Sequence, residues 1–207
     1  MMAPTKTAPG IGSTSSPNRT PATIAMAAAA RTSRIRVGTG VSLLPLHHPI
    51  RLAEEYAMLD QLSGGRLDYG VGRGFLRLAY DLFGIAEDES RERYRESLEV
   101  IIRAWTETGP FSHHGKHWSF DHCVSFPPPF QEPYPPIFAS GAATPASYTW
   151  AGEMGVNLAT AFFNPQHHVV QAGIRGYRDA LRAQGIDPSD RQVLGVIPMY
   201  CAATEEE

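Results

Sequence analysis

The chain has 207 residues, of which 43% are hydrophobic, and carries a formal net charge of −3 with a pI near 6.2. This length and apolar content predict one globular domain with its own core. The weakly acidic balance disfavours a nucleic acid or an anionic membrane as partner, since both select clustered basic residues. No apolar run approaches the roughly 18 residues that a membrane-spanning helix needs. The expected partner is therefore a small molecule.

The amino end differs in composition from the rest of the chain. Residues 1–20 are rich in Ser, Thr and Pro and contain no acidic residue, which predicts a disordered leader ahead of a folded domain at 21–207. A secretory signal is disfavoured, because the apolar run IAMAAAA is short, late and followed at once by RTSRIR. Cys123 and Cys201 lack the spacing of a metal or redox motif, so we expect reduced thiols and a cytoplasmic location.

Three elements follow the leader. The alanine-rich segment PATIAMAAAARTS predicts a helix beginning at Pro21. RIRVGTGVSLL, residues 34–44, is mostly apolar and β-branched, which predicts a strand. The segment 49–65 predicts a helix that begins at Pro49 and ends at a pair of glycines. This helix carries more apolar surface than one sheet-facing stripe uses, and the surplus predicts a homodimer.

The alternation continues to the end of the chain. RLDYGV predicts a strand, and Ser90 is predicted to cap a helix with an apolar stripe. Residues 109–135 carry prolines and aromatics without a period, so we expect an excursion loop with a short hairpin. PIFAS, VNLATAF and QVLGVIPMYC are predicted strands separated by helices. Five nearly continuous apolar strands alternating with helices predict a parallel sheet covered by helices.

The glycine-rich stretch RLDYGVGRGF lies where a ligand would be expected, because ligands of parallel β/α folds collect at the carboxyl ends of strands. Its glycines are Gly70, Gly72 and Gly74, and Phe75 takes the sixth position, so the dinucleotide fingerprint G-x-G-x-x-G is not met. Arg73 is the candidate instead, since a guanidinium on closely approaching backbone suits a phosphate. The alternative is a surface ion pair.

Two further strand outlets carry candidate ligand groups. In TPASYTW, Thr144 is predicted at a helix N-cap, and its hydroxyl, that of Ser147 and the positive helix end converge on one point. An ordinary cap satisfied by its own side chain is the alternative. In VGTGV, Thr39 and Gly40 are small enough for a flat ring to lie against the backbone, or they form a bulge.

Histidines cluster in the excursion loop, at His113, His114, His117 and His122. His113 and His117 are four residues apart, as on one face of a helix, but the glycine and aromatic residues of this segment disfavour a helix. No H-E-x-x-H motif occurs. We therefore expect solvated loop histidines and no metal site.

The stretch ARTSRIRVGTGVSLLPLHHPIRLAEEYAMLDQLSGGRLDYGVGRGF resembles the bacterial luciferase-like flavin monooxygenases. The resemblance continues through FGIAEDESRERYRESLEVIIRAW, GKHWSF, PPPFQEPYPPIFASG and SYTWAGEMGVNL, and covers residues 22–205. It implies a (β/α)8 TIM barrel that binds reduced FMN, or in sister branches F420, at the carboxyl end of the strands. Carried over by position, the residues that would hold the cofactor phosphate are Arg73, Arg91, Thr144 and Ser147. The Thr39–Gly40 bond would be a non-prolyl cis peptide beside the flavin ring.

The chain also departs from the pattern of this family. Family members begin with two more strands and a helix, and residues at the outlet of their second strand serve the reaction, whereas residues 1–21 show none of this. We therefore expect an incomplete barrel of about five parallel strands, and no catalytic residue is assigned.

The function expected from the resemblance is oxygenation of a small organic substrate with reduced FMN and O2. One alternative is an F420-dependent reductase or dehydrogenase that passes hydride without oxygen. The other is a truncated, non-catalytic remnant that binds flavin or a protein partner.

Overall fold

The computed structural model describes residues 21–141, 144–161 and 167–196. The predicted leader at 1–20, Cys201 and the end of the last predicted strand lie outside these ranges. The helices within them are α1 Pro21–Arg31, α2 Pro49–Ser63, α3 Arg77–Phe83, α4 Ser90–Thr106, α5 Pro145–Glu153 and α6 His167–Ala183. The strands are β1 Val37–Gly38, β2 Ser42–Leu43, β3 Leu67–Gly72, β4 Phe111–His114, β5 Ser119–Cys123, β6 Ile137–Ser140, β7 Asn157–Ala161 and β8 Val193–Val196.

One parallel sheet organises the described chain. Its strands lie in the order β1, β3, β6, β7, β8, and β2 pairs with β3 beyond β1. The sheet curls into a half-barrel with five strand positions, because β1 and β2 share one position. The predicted fold class, an incomplete TIM-type barrel with about five parallel strands, is confirmed.

The first predicted strand is not continuous. Val37 pairs with Leu67 and Ser42 pairs with Val71, so five steps along the first strand match four along β3. One extra residue therefore bulges out between β1 and β2. Within this bulge the Thr39 hydroxyl donates to the carbonyl oxygen of Gly70 at 2.8 Å.

The bulge explains two of the three glycines of RLDYGVGRGF, Gly70 and Gly72. A Cβ at Gly70 would lie 1.7 Å from the Thr39 carbonyl oxygen, and one at Gly72 would lie 2.4 Å from Val41 Cγ2. Gly70 must therefore lack a side chain for the bulged segment to pack against the strand, whereas a side chain at Gly72 would force the Val41 side chain to move. The glycines serve strand packing, in agreement with the failed dinucleotide spacing.

Helices α2 and α4 cover the outer face of β3. Tyr69 on β3 contacts Tyr56 and Trp105, with ring centroids 4.2 and 5.5 Å apart, and Trp105 Nε1 donates to the Ala53 carbonyl oxygen at 2.9 Å. The predicted apolar stripe of α4 is thus confirmed. The alanines of α1 belong to the same core and pack on α2, so much of the apolar surplus on α2 is used within the chain. Leu62 remains 64% exposed.

The remaining elements agree with the sequence in part. The excursion loop contains the predicted hairpin, β4 and β5, which pair antiparallel. Helix α3 was not predicted, because its buried residue is Tyr80 while its leucines face solvent, so no apolar stripe marks it. Of the described helices, none has the length and apolar character needed to cross a bilayer.

Candidate functional site

A cleft opens at the carboxyl end of the sheet, between α4 and the start of α5. It is lined by Arg73, Arg91, Tyr94, Arg95, Ser140, Ala146, Ser147 and Trp150. The lining comes from the outlets of two neighbouring strands, β3 and β6, and from the helices on either side. This is the position at which parallel β/α folds bind ligands.

Arg73 enters the cleft directly after β3. Its Nη1 donates to the Ser90 hydroxyl oxygen at 2.9 Å, and that hydroxyl donates in turn to the Glu87 carbonyl oxygen. The Tyr80 hydroxyl donates to the Arg73 carbonyl oxygen, which ties the loop to α3. Both the backbone and the guanidinium of Arg73 are therefore held in place.

The prediction that Ser90 caps α4 is wrong. The N-cap residue is Glu89, which makes no side-chain cap, and Ser90 already has helical φ and ψ of −57° and −32°. A capping hydroxyl acts from a residue with non-helical backbone, so Ser90 cannot serve the first-turn N–H groups. Its hydroxyl orients Arg73 instead.

The start of α5 forms the opposite wall. Thr144 is the N-cap with extended backbone, as predicted, yet its side chain makes no capping hydrogen bond. Its hydroxyl lies 3.0 Å from the Ser147 hydroxyl, so the two hydroxyls contact each other at the helix end. The self-satisfied cap considered from the sequence is therefore not what forms. A positive helix end and two hydroxyls border the cleft.

Helix α4 supplies two more cations. Arg91 and Arg95 lie one helical turn apart and both line the cleft. The Arg95 guanidinium carbon lies 5.8 Å from the centre of the Trp150 ring, and Tyr94 packs on the same ring at 4.6 Å. Burial raises the pKa of Tyr94, so its phenol stays neutral.

The structure thus brings together Arg73, Arg91 and Ser147, with Thr144 one hydrogen bond away. Sequence reasoning missed Arg95 and Ser140. The spacing of four residues from Arg91 could have indicated Arg95, whereas Ser140 is marked only as the last residue of a strand. Three arginines and a helix N-terminus around one cleft are groups that could hold an anion.

Thr39 and Gly40 do not line this cleft. They lie in the bulge on the other side of β3, where Thr39 is buried and a Cβ on Gly40 would meet nothing within 4 Å. Within the described ranges the non-prolyl cis peptide joins Gly40 to Val41, so the expectation of a cis Thr39–Gly40 bond is wrong by one residue. Both bonds flank the same glycine, and residue types do not distinguish them.

An exposed apolar row follows Arg73 at the same end of the sheet. Phe75 is 83% exposed, and the other members of the row are Leu76, Leu78, Leu82 and Phe83. Tyr80 connects this row to the cleft through its hydrogen bond to Arg73. Soluble proteins seldom leave such a row uncovered without a binding role.

The loop histidines belong to the hairpin and not to the cleft. His113 is 9% exposed and the His117 side chain 4% exposed, so the expectation of solvated histidines is wrong for these two. Both are buried because the hairpin packs on α4, which loop composition does not reveal. His114 and His122 are exposed as expected. Within the described ranges, no group of three or more His, Cys, Asp or Glu residues is arranged for a metal ion.

Comparison with known proteins identifies the family. Residues 3–207 match the luciferase-like monooxygenase family, and the chain belongs to it. The oxygenase component of a flavin-dependent trigonelline monooxygenase from Acinetobacter baylyi is 38% identical over 130 residues, which are 62% of this chain and 35% of that protein.

Two solved structures share the fold. Monooxygenase RslO1 from Streptomyces bottropensis has a TM-score of 0.80 at 38% identity, covering 87% of this chain and 54% of that one. The oxygenating constituent of 3,6-diketocamphane monooxygenase from Pseudomonas putida, solved with FMN, has a TM-score of 0.73 at 26% identity, covering 84% of this chain and 51% of that one. The chain therefore spans about half the length, or less, of these relatives.

Proposed function

We propose that this chain provides the cofactor-phosphate site of a flavin-dependent monooxygenase that uses reduced FMN and O2 on a small organic substrate. The observation that carries the proposal is the convergence of Arg73, Arg91 and Arg95 with the N-terminus of α5 in one cleft. Membership of the luciferase-like monooxygenase family supports the same function.

Each residue has a role in this proposal. Arg73 and Arg91 would bind the phosphate by charge-assisted hydrogen bonds, and Thr144 and Ser147 would donate their hydroxyls from the helix end. Gly40 leaves space beside β3 where the flat ring would lie against backbone, next to Thr39. Reduced FMN, when bound, supplies the electrons that activate oxygen.

The apolar row after Arg73 supports an organic substrate. Phe75, Leu78 and Leu82 present hydrocarbon surface at the same end of the sheet as the cleft. Such a surface would take apolar parts of a substrate and exclude water from the reaction site.

F420 is the second candidate cofactor. Its phosphate is a diester with one charge, whereas the monoester of FMN carries nearly two at neutral pH, and three arginines favour the dianion. Absorbance titration of the chain with FMN and with F420 shows which of the two cofactors it binds. If neither cofactor binds, the result favours the remaining hypothesis, a non-catalytic remnant that binds a protein partner.

The proposal predicts that Arg73→Ala weakens FMN binding far more than riboflavin binding, because riboflavin lacks the phosphate. A charge-assisted hydrogen bond contributes about 1.5–3 kcal/mol, which corresponds to roughly 10- to 150-fold in Kd. Fluorescence titration with both ligands measures the difference. Arg77→Ala is the matched control, since Arg77 is an exposed arginine on α3 outside the cleft lining. Equal losses for both ligands would remove Arg73 from the phosphate site.

We also propose a homodimer and a cytoplasmic location. Exposed Met58 and Leu62 on α2 support a contact with a second copy, although α1 and α4 cover the rest of its large apolar residues. Cys123, the cysteine within the described ranges, is a free thiol, in keeping with a reducing compartment.

A further inference from the structure

The carboxylate of Glu96 joins the β4–β5 hairpin to α4, beside an exposed ion pair between Lys116 and Glu92. Glu96 accepts hydrogen bonds from the backbone N–H groups of His117 at 3.0 Å and Trp118 at 2.8 Å, and its Oε1 lies 3.1 Å from His113 Nε2. A Cβ at Gly115 would lie 2.0 Å from Glu96 Oε1, so the turn has a glycine where the carboxylate sits. The hairpin clasp is defined by Glu96, His113, Gly115, His117 and Trp118.

Both oxygens of the Glu96 carboxylate have hydrogen-bond partners in the clasp. Burial by itself raises the pKa of Glu96, but the N–H groups of Trp118 and His117 and the ring of His113 outweigh it and lower the pKa overall. Glu96 is therefore ionised at neutral pH, and its hydrogen bonds are of the stronger, charge-assisted kind. Close by, Trp118 Nε1 donates to the Ser97 hydroxyl oxygen at 2.9 Å.

The clasp and the anion cleft share one helix. Arg95, which lines the cleft, precedes Glu96 in sequence, and Arg91 lies one turn earlier. Besides its apolar stripe, α4 is held by Trp105 Nε1, which donates to the Ala53 carbonyl oxygen of α2 at 2.9 Å, and by the Tyr94 hydroxyl, which lies 3.4 Å from the Val71 carbonyl oxygen. Hydrogen bonds fix direction, and the clasp supplies them on the α4 surface adjacent to Arg95.

We propose that Glu96 is a positioning residue for cofactor binding, setting the rotation of α4 so that Arg91 and Arg95 meet the phosphate. This inference rests on the proposed function, because it takes the cleft as the phosphate site. Glu96 itself touches hairpin groups and not the cleft. Its effect is therefore on phosphate affinity, through the arginines.

The test measures the ratio of the riboflavin Kd to the FMN Kd, which isolates the phosphate contribution. Glu96→Ala should lower this ratio about tenfold, as expected for the loss of one charge-assisted contact. Glu96→Gln, which keeps an acceptor oxygen, should lower it less. Gly115→Ala should act like Glu96→Ala from the hairpin side, because the new Cβ displaces the carboxylate. Glu99→Gln removes an exposed charge from the same helix and should leave the ratio unchanged.

The possible results distinguish the positioning role of Glu96 from the proposed phosphate site. A ratio near one in the wild-type chain refutes the phosphate site and the inference with it. A high wild-type ratio that stays unchanged in folded Glu96→Ala overturns the positioning role alone. A variant that is merely less stable would lose both ligands equally, which also counts against the role. If Glu96→Ala fails to fold, an unchanged ratio in Glu96→Gln and Gly115→Ala overturns it.

Discussion

Replacing Gly70 by alanine should destabilise the protein more than the same change at any glycine with space around it. The new Cβ would lie 1.7 Å from the carbonyl oxygen of Thr39, a contact that no side-chain rotation relieves because the neighbour is backbone. The bulged segment would have to move away from β3. That movement would also break the bond from the Thr39 hydroxyl to the Gly70 carbonyl oxygen.

The size of the effect follows from what must move. Overpacking costs about 1–3 kcal/mol, and the backbone clash at Gly70 places Gly70→Ala at about 3 kcal/mol or above. At Gly72 the Cβ would lie 2.4 Å from the end of the Val41 side chain, which can turn, so about 1 kcal/mol is expected. For a domain of this size, 3 kcal/mol lowers Tm by roughly 6–12 °C.

Urea unfolding followed by tryptophan fluorescence measures these differences, and Trp105 reports on β3 because its ring packs on Tyr69. Gly109→Ala is the control, since no atom lies within 4 Å of its Cβ position, and it should change stability by less than about 0.5 kcal/mol. A Gly70→Ala protein as stable as Gly109→Ala would refute the close packing of the bulge on β3.

Two other properties can be tested on the same chain. The folded-state pKa of Glu96 lies below its ordinary value of 4.5, so the stability advantage of wild type over Glu96→Gln should be full above pH 4.5 and vanish as pH falls through the lower folded value. Unfolding at pH 7, 5, 4 and 3 measures this, and an advantage that persists at the lowest pH would contradict it. Light scattering above micromolar concentration should give twice the 22.6 kDa chain mass, and Leu62→Glu should restore the monomer mass because Leu62 is exposed. A wild-type monomer under those conditions would defeat the dimer.

Features encoded within a few residues could be predicted from the sequence. The stripe of α4, the N-cap at Thr144 and the strand beginning near Leu67 each depend on periodicity or capping chemistry inside one segment. The parallel sheet followed from their alternation, since short connections leave few other arrangements. The resemblance to luciferase-like proteins added the grouping of Arg73 with Arg91, which no local pattern contains.

Features that join distant segments were decided by the tertiary structure. Arg95 and Ser140 line the cleft because α4 and β6 pack around the outlet of β3, and only Arg95 carries a local signal, its spacing of four residues from Arg91. The glycines of β3 suggested a ligand-binding loop. They are required instead because a bulge about 30 residues earlier packs against β3, and the pairing of β1 and β2 with β3 fixes the position of that bulge. Glu96 and His113 likewise became partners only when the hairpin packed on α4. Such contacts depend on how separate elements meet in space, and sequence spacing measures distance along the chain alone.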